Sequence, residues 1–241
     1  MIREMPVLKD SLVDETLPAG QLRILGSRQL EDIFKLHAVV MKGLPNLSLY
    51  IPYSWQEIKD YLDYRDGFVL GFYVRDQLAA FRVTTWPGEK PHNLGYYLQM
   101  PPRQLKKVIQ LEGANVLPPY RGNGLQQLLT EKAIDYLQLP EGEVPVLMSV
   151  SPYNGKSLSN MISWGMKILA IKDVSSPMVR LILRKTVNAK GSAAPSGWKN
   201  CRWIPADDVE SQRNYLKEDF QGFQIKRDMH GMLQICYGQP K

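Results

Sequence analysis

Between Val116 and Leu129 the chain reads VLPPYRGNGLQQLL: the end of an apolar strand, a turn with glycines at 122 and 124, and the start of a helix. The spacing predicts that helix over Gly124–Gln138, with Leu125, Leu128, Leu129, Tyr136 and Leu137 on one stripe and Pro140 and Gly142 ending it. The first amides of a helix have no internal partner and sit at the positive end of its dipole. Glycine lets a ligand approach such a backbone closely. A strand, a glycine turn and a helix in that order therefore impose an α/β arrangement and offer a mouth for phosphate or pyrophosphate. Two familiar nucleotide motifs do not fit. A dinucleotide fingerprint needs a third glycine where Gln127 stands, and Gly155-Lys156-Ser157 lacks the P-loop glycine because position 150 is Val.

The flanks extend the pattern. Residues 1–20, with Pro6, Pro18 and Gly20, read as an extended lead-in. A short strand is expected over Leu22–Leu25. Ser27 is the expected N-cap of a helix carrying Leu30, Ile33, Phe34 and Met41. After the loop PNLSLYIPY, Ser54 and Glu57 stand at capping-box spacing ahead of Trp55, Ile58 and Leu62. GFVLGFYV and LAAFRVTTW, split by Arg75-Asp76-Gln77, predict a hairpin. KKVIQLEGANV and VPVLMSV read as strands, Lys156–Trp164 as a helix, and MKILAIK and MVRLILRK as further strands. The order is not a regular βαβ repeat, so the sheet is expected to be mixed in direction. Residues 187–197 are small and polar, a linker by composition. Residues 198–241 form a C-terminal appendage, predicted as a helix near Asp207–Phe220 and a hairpin over GFQIKRDMHGMLQICYG. Trp198, Trp203, Phe220 and Phe223 are expected to pack this appendage onto the body or onto a second subunit in a homodimer.

A chain of 241 residues can bury a sizeable core without staples. Only Cys201 and Cys236 are present, which excludes a disulfide framework and a four-cysteine zinc site. The histidines, His37, His92 and His230, are scattered without metal spacing, so no metal is expected. The net charge of +6 suits polyanionic small molecules and is too small to argue for nucleic acid; the basic run at 103–107 reads as a solvated face. The start MIREMPVLKD lacks the apolar stretch of a signal peptide, and no run is long enough to span a bilayer. A cytoplasmic protein with no membrane contact is the expectation.

The loop and its surroundings carry a further signal. VLPPYRGNGLQQLL resembles the acyl-CoA loop of the GNAT superfamily, the acyl-CoA-dependent N-acetyltransferases, through Val116, Pro118, Tyr120, Arg121, Gly124 and position 126. SVSPYNGKSLSNMISWGM resembles the family's strand–Asn–helix–Gly-aromatic segment, with Asn154 and Gly165 in register, and the hairpin resembles its second and third strands. The resemblance spans roughly residues 21–186 and leaves the appendage unexplained. It implies a domain over 21–186 with a mixed, mostly antiparallel central sheet flanked by helices. It also implies acetyl-CoA as cosubstrate. Backbone groups of Asn115 and Val116 would pair with the pantetheine arm. Amides of Gly122, Asn123, Gly124, Leu125, Gln126 and Gln127 would cradle the pyrophosphate. Arg121 would support the loop or the phosphates, and Asn154 would touch the pantetheine. Two departures stand out: Gln126 replaces a small residue and would either crowd the phosphates or turn aside, and Met161 occupies the position of a proton-donating tyrosine.

The implied reaction is direct attack of an amine on the thioester within a ternary complex. A lysine-like amine has a pKa of about 10.4, so a base must take its proton. Glu112 is the candidate, on the strand entering the loop and on the side of Val116 by the period of two. Tyr50 and Tyr53 are candidates for the acceptor site. The acceptor is an amine on a small molecule or a protein, and in the latter case the appendage would grip the target. The alternative is a non-catalytic acyl-CoA-binding or partner-binding module on the same fold, which Gln126 and Met161 permit.

Overall fold

The computed structural model describes residues 6–8, 14–17, 19–64, 66–175, 178–188 and 197–241. The linker expected over 187–197 lies almost wholly outside them, as does much of the lead-in. The chain opens with β1 (Val7–Leu8), β2 (Asp14–Leu17) and β3 (Gly20–Leu25), followed by α1 (Leu30–Lys42) and α2 (Trp55–Leu62). A hairpin, β4 (Gly67–Val74) and β5 (Gln77–Thr85), leads through the short helix α3 (Pro102–Leu105) to β6 (Ile109–Val116). Then come α4 (Leu125–Asp135), β7 (Leu137–Gln138), β8 (Val144–Val150), α5 (Gly155–Ser163), β9 (Lys167–Ser175) and β10 (Met178–Val187). The chain ends with β11 (Trp198–Pro205), α6 (Val209–Lys217), β12 (Gln221–Arg227) and β13 (Leu233–Pro240).

Local chemistry explains most of these boundaries. On α1, Ile33, Leu36, His37 and Val40 recur at helical spacing and are buried, while Glu31 and Asp32 meet the positive end of the dipole. Ser27 does not cap this helix, contrary to expectation. It opens a 3-10 turn over Ser27–Gln29 in which the Gln29 side chain takes the Gly26 amide at 3.0 Å. The capping box of α2 forms as read: Glu57 N donates to Ser54 Oγ at 3.2 Å, and Ser54 N donates to Glu57 Oε2 at 2.7 Å. Helix α4 stops at Asp135 rather than Gln138. Leu137 and Gln138 instead pair with Leu8 and Val7, so the amino-terminal segment contributes a strand where only lead-in was expected.

Among the described residues one eleven-stranded sheet organises the molecule, in the order β11-β13-β12-β9-β10-β8-β6-β5-β4-β3-β2. Its neighbours pair antiparallel except β6 and β8. Helices α1 and α2 cover one face around Leu25, Val69, Phe81 and Val83; α4 and α5 cover the other around Leu70, Ile109, Leu129 and Leu158. The 94–108 segment covers Leu147 and Ile182 on the α1 side of the sheet.

The appendage is richer than a helix and a hairpin. Strand β11 pairs with β13, and β12 meets β9 where Gly222 lies opposite Ile168. A Cβ at Gly222 would stand 2.8 Å from Ile168 Cδ1, so glycine permits the junction. Ile204, Phe220, Ile235 and Tyr237 join the same apolar cluster as Leu129 and Met161. Burial against a shared core makes the two parts unfold together. Ile235→Ala is therefore expected to cost about 2–5 kcal/mol and to lower the midpoint of a single denaturation transition followed by fluorescence and circular dichroism. A separate early transition, with the main one unmoved, would contradict a shared core.

Candidate functional site

Strand β6 and strand β8 run parallel but pair only at Ile109–Val146 and Gln110–Leu147. Beyond Gln110 the edge of β6 that faces β8 has no strand partner among the described residues. Its other edge stays paired, Asn115 with Phe81 and Val116 with Ala80. The result is a wedge, open toward the carboxyl ends of both strands, where the loops to α4 and α5 begin.

At the mouth of the wedge the chain turns through Pro118–Tyr120 into α4. Gly122 (φ +85°) and Gly124 (φ +71°) are left-handed, a conformation glycine takes without strain, and a Cβ at either would meet nothing within 4 Å. The amide of Arg121 is taken by Pro118 O, and the next amide with a backbone partner is that of Leu128, bonded to Gly124 O at 3.0 Å. Between them, from Gly122 to Gln127, the amides donate to nothing among the described residues. The Gln126 side chain does not crowd this mouth. It turns to α5, where Nε2 donates to Ser157 Oγ at 3.0 Å and Oε1 accepts from Asn160 Nδ2 at 2.7 Å. Asn154 caps α5, its side chain accepting from Ser157 N at 3.1 Å. Gln126 thus ties the two helix starts together. Arg121 supports the loop: its Nε donates to Val116 O at 3.1 Å. Met161 is fully buried in the core and presents nothing to the wedge.

Glu112 sits where β6 bulges. Arg82 pairs with Ala114 and Thr84 with Leu111, so Glu112 and Gly113 together occupy one step of the ladder. The extra residue breaks the period of two. Glu112 therefore faces α1 and α2 with Asn115, whereas Val116 packs into the cluster on the α4 side. The expectation that Glu112 and Val116 share a side is corrected by this bulge. On the α1 side Glu112 Oε1 accepts from Gln110 Nε2 at 2.7 Å and from Thr85 Oγ1 at 3.3 Å. Burial pushes its carboxyl above the ordinary range, partly offset by these two donors.

Tyr50 and Tyr53 are on the same side. Asn115 Nδ2 donates to Tyr50 Oη at 2.8 Å, Asn115 Oδ1 lies 3.2 Å from His37 Nδ1, and Tyr53 Oη donates to Gly113 O at 3.4 Å. A Cβ at Gly113 would collide with the Tyr50 ring, so this glycine admits the tyrosine against the bulge. Burial raises both phenols, which stay protonated, and lowers the His37 imidazole against the opposing pull of Asn115. Structure thus gathers Glu112, Asn115, Tyr50 and Tyr53 on one side of the wedge, and Arg121, Gly122–Gln127 and Asn154 around its mouth. His37 was legible in the sequence only as a packing residue. Its link to Asn115 joins α1 to a strand 78 positions away, which spacing does not reveal. No grouping of three or more His, Cys, Asp or Glu suited to a metal occurs among the described residues, and no helix among them is long and apolar enough to cross a membrane.

This arrangement defines a fold with known counterparts. No protein-family model and no curated protein matches the sequence. Solved structures do. The ribosomal-protein-S18-alanine N-acetyltransferase of Escherichia coli is 13% identical over 74% of this chain and 98% of its own, with a TM-score of 0.50. A GNAT-family acetyltransferase of Streptococcus pneumoniae is 13% identical over 69% of this chain and 98% of its own, at 0.51. Arabidopsis thaliana NAA60, solved in complex with acetyl-CoA, is 11% identical over 69% of this chain and 97% of its own, at 0.53. The chain has the fold of the GNAT acetyltransferases.

The raised carboxyl has a measurable consequence. Below the ordinary glutamate pKa of about 4.3 the group is protonated folded and unfolded, and its burial costs nothing extra. As pH rises through the elevated folded value, the wild type loses stability that Glu112→Gln keeps. The stability difference in favour of Glu112→Gln is thus expected to grow between about pH 4 and pH 7 in urea titrations. A difference that does not change with pH would contradict the burial of this charge.

Proposed function

We propose that the chain is an acyl-CoA-dependent N-acyltransferase that moves a short acyl group, acetyl in the simplest case, to an amine on a small molecule or protein. The observation that carries this reading is the unbroken run of amides from Gly122 to Gln127, without a partner among the described residues, at the mouth of a wedge between parallel strands. A pyrophosphate satisfies such amides, and the positive end of α4 favours its charge. At Val116 the backbone groups turn away from β5 toward the wedge and are offered to the amides of a pantetheine arm, as an added strand would, while Asn115 beside it stays paired with Phe81. Release of Val116 O by Arg121 would free that carbonyl for the arm and the guanidinium for the phosphates.

The thioester carbon then lies beside the bulge, with the acceptor amine arriving from the side of α1 and α2. Glu112, directly or through a water, takes a proton from the amine as its nitrogen attacks. The carbon–sulfur bond breaks and the CoA leaves as a thiolate. Its pKa is below that of the amine, so expulsion needs no strong acid, consistent with Met161 in the core. The elevated carboxyl of Glu112 suits a base working near neutral pH. Tyr50, held by Asn115 and His37, would orient the acceptor.

Calorimetry with acetyl-CoA, followed by a thiol-release assay across protein, polyamine and small amines, tests this. The wild type is expected to bind and turn over. Gly124→Val, which blocks the mouth with a side chain at φ +71°, should weaken CoA binding by about tenfold or more. Glu112→Gln should bind normally and lose about 10²–10⁴-fold in rate. Binding by the wild type with no release from any amine would instead favour the non-catalytic module. No heat from the wild type would overturn the reading.

A further inference from the structure

The bulge that turns both Glu112 and Gly113 toward α1 leaves a gap on the opposite face of β6, between Leu111 and Ala114. The Arg82 guanidinium fills it. It reaches across from β5 beneath β6, and its Nη1 donates to Glu112 O at 3.1 Å. Arg82 and its neighbour on the same face, Thr84, are both fully buried. Yet Arg82 Nε, Arg82 Nη2 and Thr84 Oγ1 have no hydrogen-bond partner among the described residues. Nε and Nη2 form one edge of the planar fork, the edge that holds a carboxylate through two parallel bonds. No acid among the described residues pairs with it. The Glu112 carboxylate is engaged by Gln110 and Thr85 on the other face and acts on Arg82 only through its field. Burial lowers this guanidinium only to about 10, so it is charged at neutral pH. A buried charge with most of its donors unmet is costly, and the cost disappears when an anion fills the site.

Resting on the acyltransferase reading, we propose that Arg82 and Thr84 select an acyl group that ends in a carboxylate, the half-thioester of a short dicarboxylic acid. The head of Arg82 lies under the strand that borders the wedge, next to the bulge where the thioester would sit. A tail of a few carbons running inward from the carbonyl would bring its carboxylate to the Nε–Nη2 edge, with the Thr84 hydroxyl as third donor. Acetyl would then be accepted as a truncated substrate, leaving the edge unmet.

Binding of two CoA thioethers tests this without turnover: one with a short carboxyalkyl chain, the other the carboxamide of the same chain. The wild type is expected to hold the carboxylate about tenfold or more tighter than the carboxamide. Arg82→Met should abolish the preference. Thr84→Val, which keeps the shape of the side chain and lacks only the hydroxyl, should reduce it severalfold. Equal affinities in the wild type, as a pair of buried waters on Arg82 would give, overturn the proposal, as does a preference that survives Arg82→Met. If unmodified CoA binds while the two thioethers are equal, only this inference fails. If CoA itself does not bind, the acyltransferase reading fails with it.

Discussion

Everything at the centre of this molecule follows from one backbone irregularity, the extra residue that β6 carries at Glu112–Gly113. A regular strand would continue along β8 and close the sheet. The bulge bends and twists β6 instead, and its pairing with β8 ends after Gln110. The wedge that opens is lined on one edge by backbone, and ends at a helix mouth with amides, that have no partner among the described residues. The same step turns Glu112 toward α1, admits Tyr50 against Gly113, and makes room beneath for Arg82. The buried carboxylate, the tyrosine loop packed near it and the buried cation are thus three consequences of a single insertion in a ladder.

The surrounding elements hold that irregularity in place. Asn115 is pinned from α1 by His37 and from the following loop by Tyr50. Gln126 and Asn160 tie α4 to α5, so the two helix starts that flank the wedge move as a unit. Strands β11 to β13 extend the same sheet and share its largest apolar cluster, which stiffens the far side of β8 and β10 through β9. Such rigidity lets free amides stay free: a floppy loop would fold back to satisfy them.

Much of this was legible in the sequence, and the failures have physical causes. The glycine turn before α4 was readable because positive φ demands glycine at 122 and 124. The capping box of α2 was readable because its partners are three residues apart. The side on which Glu112 falls was not, since a bulge adds one residue without any sequence mark beyond Gly113, and every alternation beyond it inverts. Ser27 failed as a cap because the chain enters α1 through a 3-10 turn, in which the Gln29 amide that such a cap would take bonds Gly26 O instead. The pairing of Leu137–Gln138 with Val7–Leu8 joins segments too distant for periodicity to connect. Arg82 left one trace: it stands in AAFRVTT, at a strand position whose neighbours on both sides are buried, where a charged residue is costly without a partner.

The central claim is that the amides from Gly122 to Gln127 are a phosphate cradle beside the wedge. Titration of the isotopically labelled protein with CoA, followed residue by residue in amide nuclear magnetic resonance spectra, tests it most directly. The account predicts large shifts at Gly122–Gln127 and along Asn115 and Val116, with the far strands β11 and β13 unmoved. Saturating CoA that leaves those amides in place, or shifts confined to another surface, would contradict it.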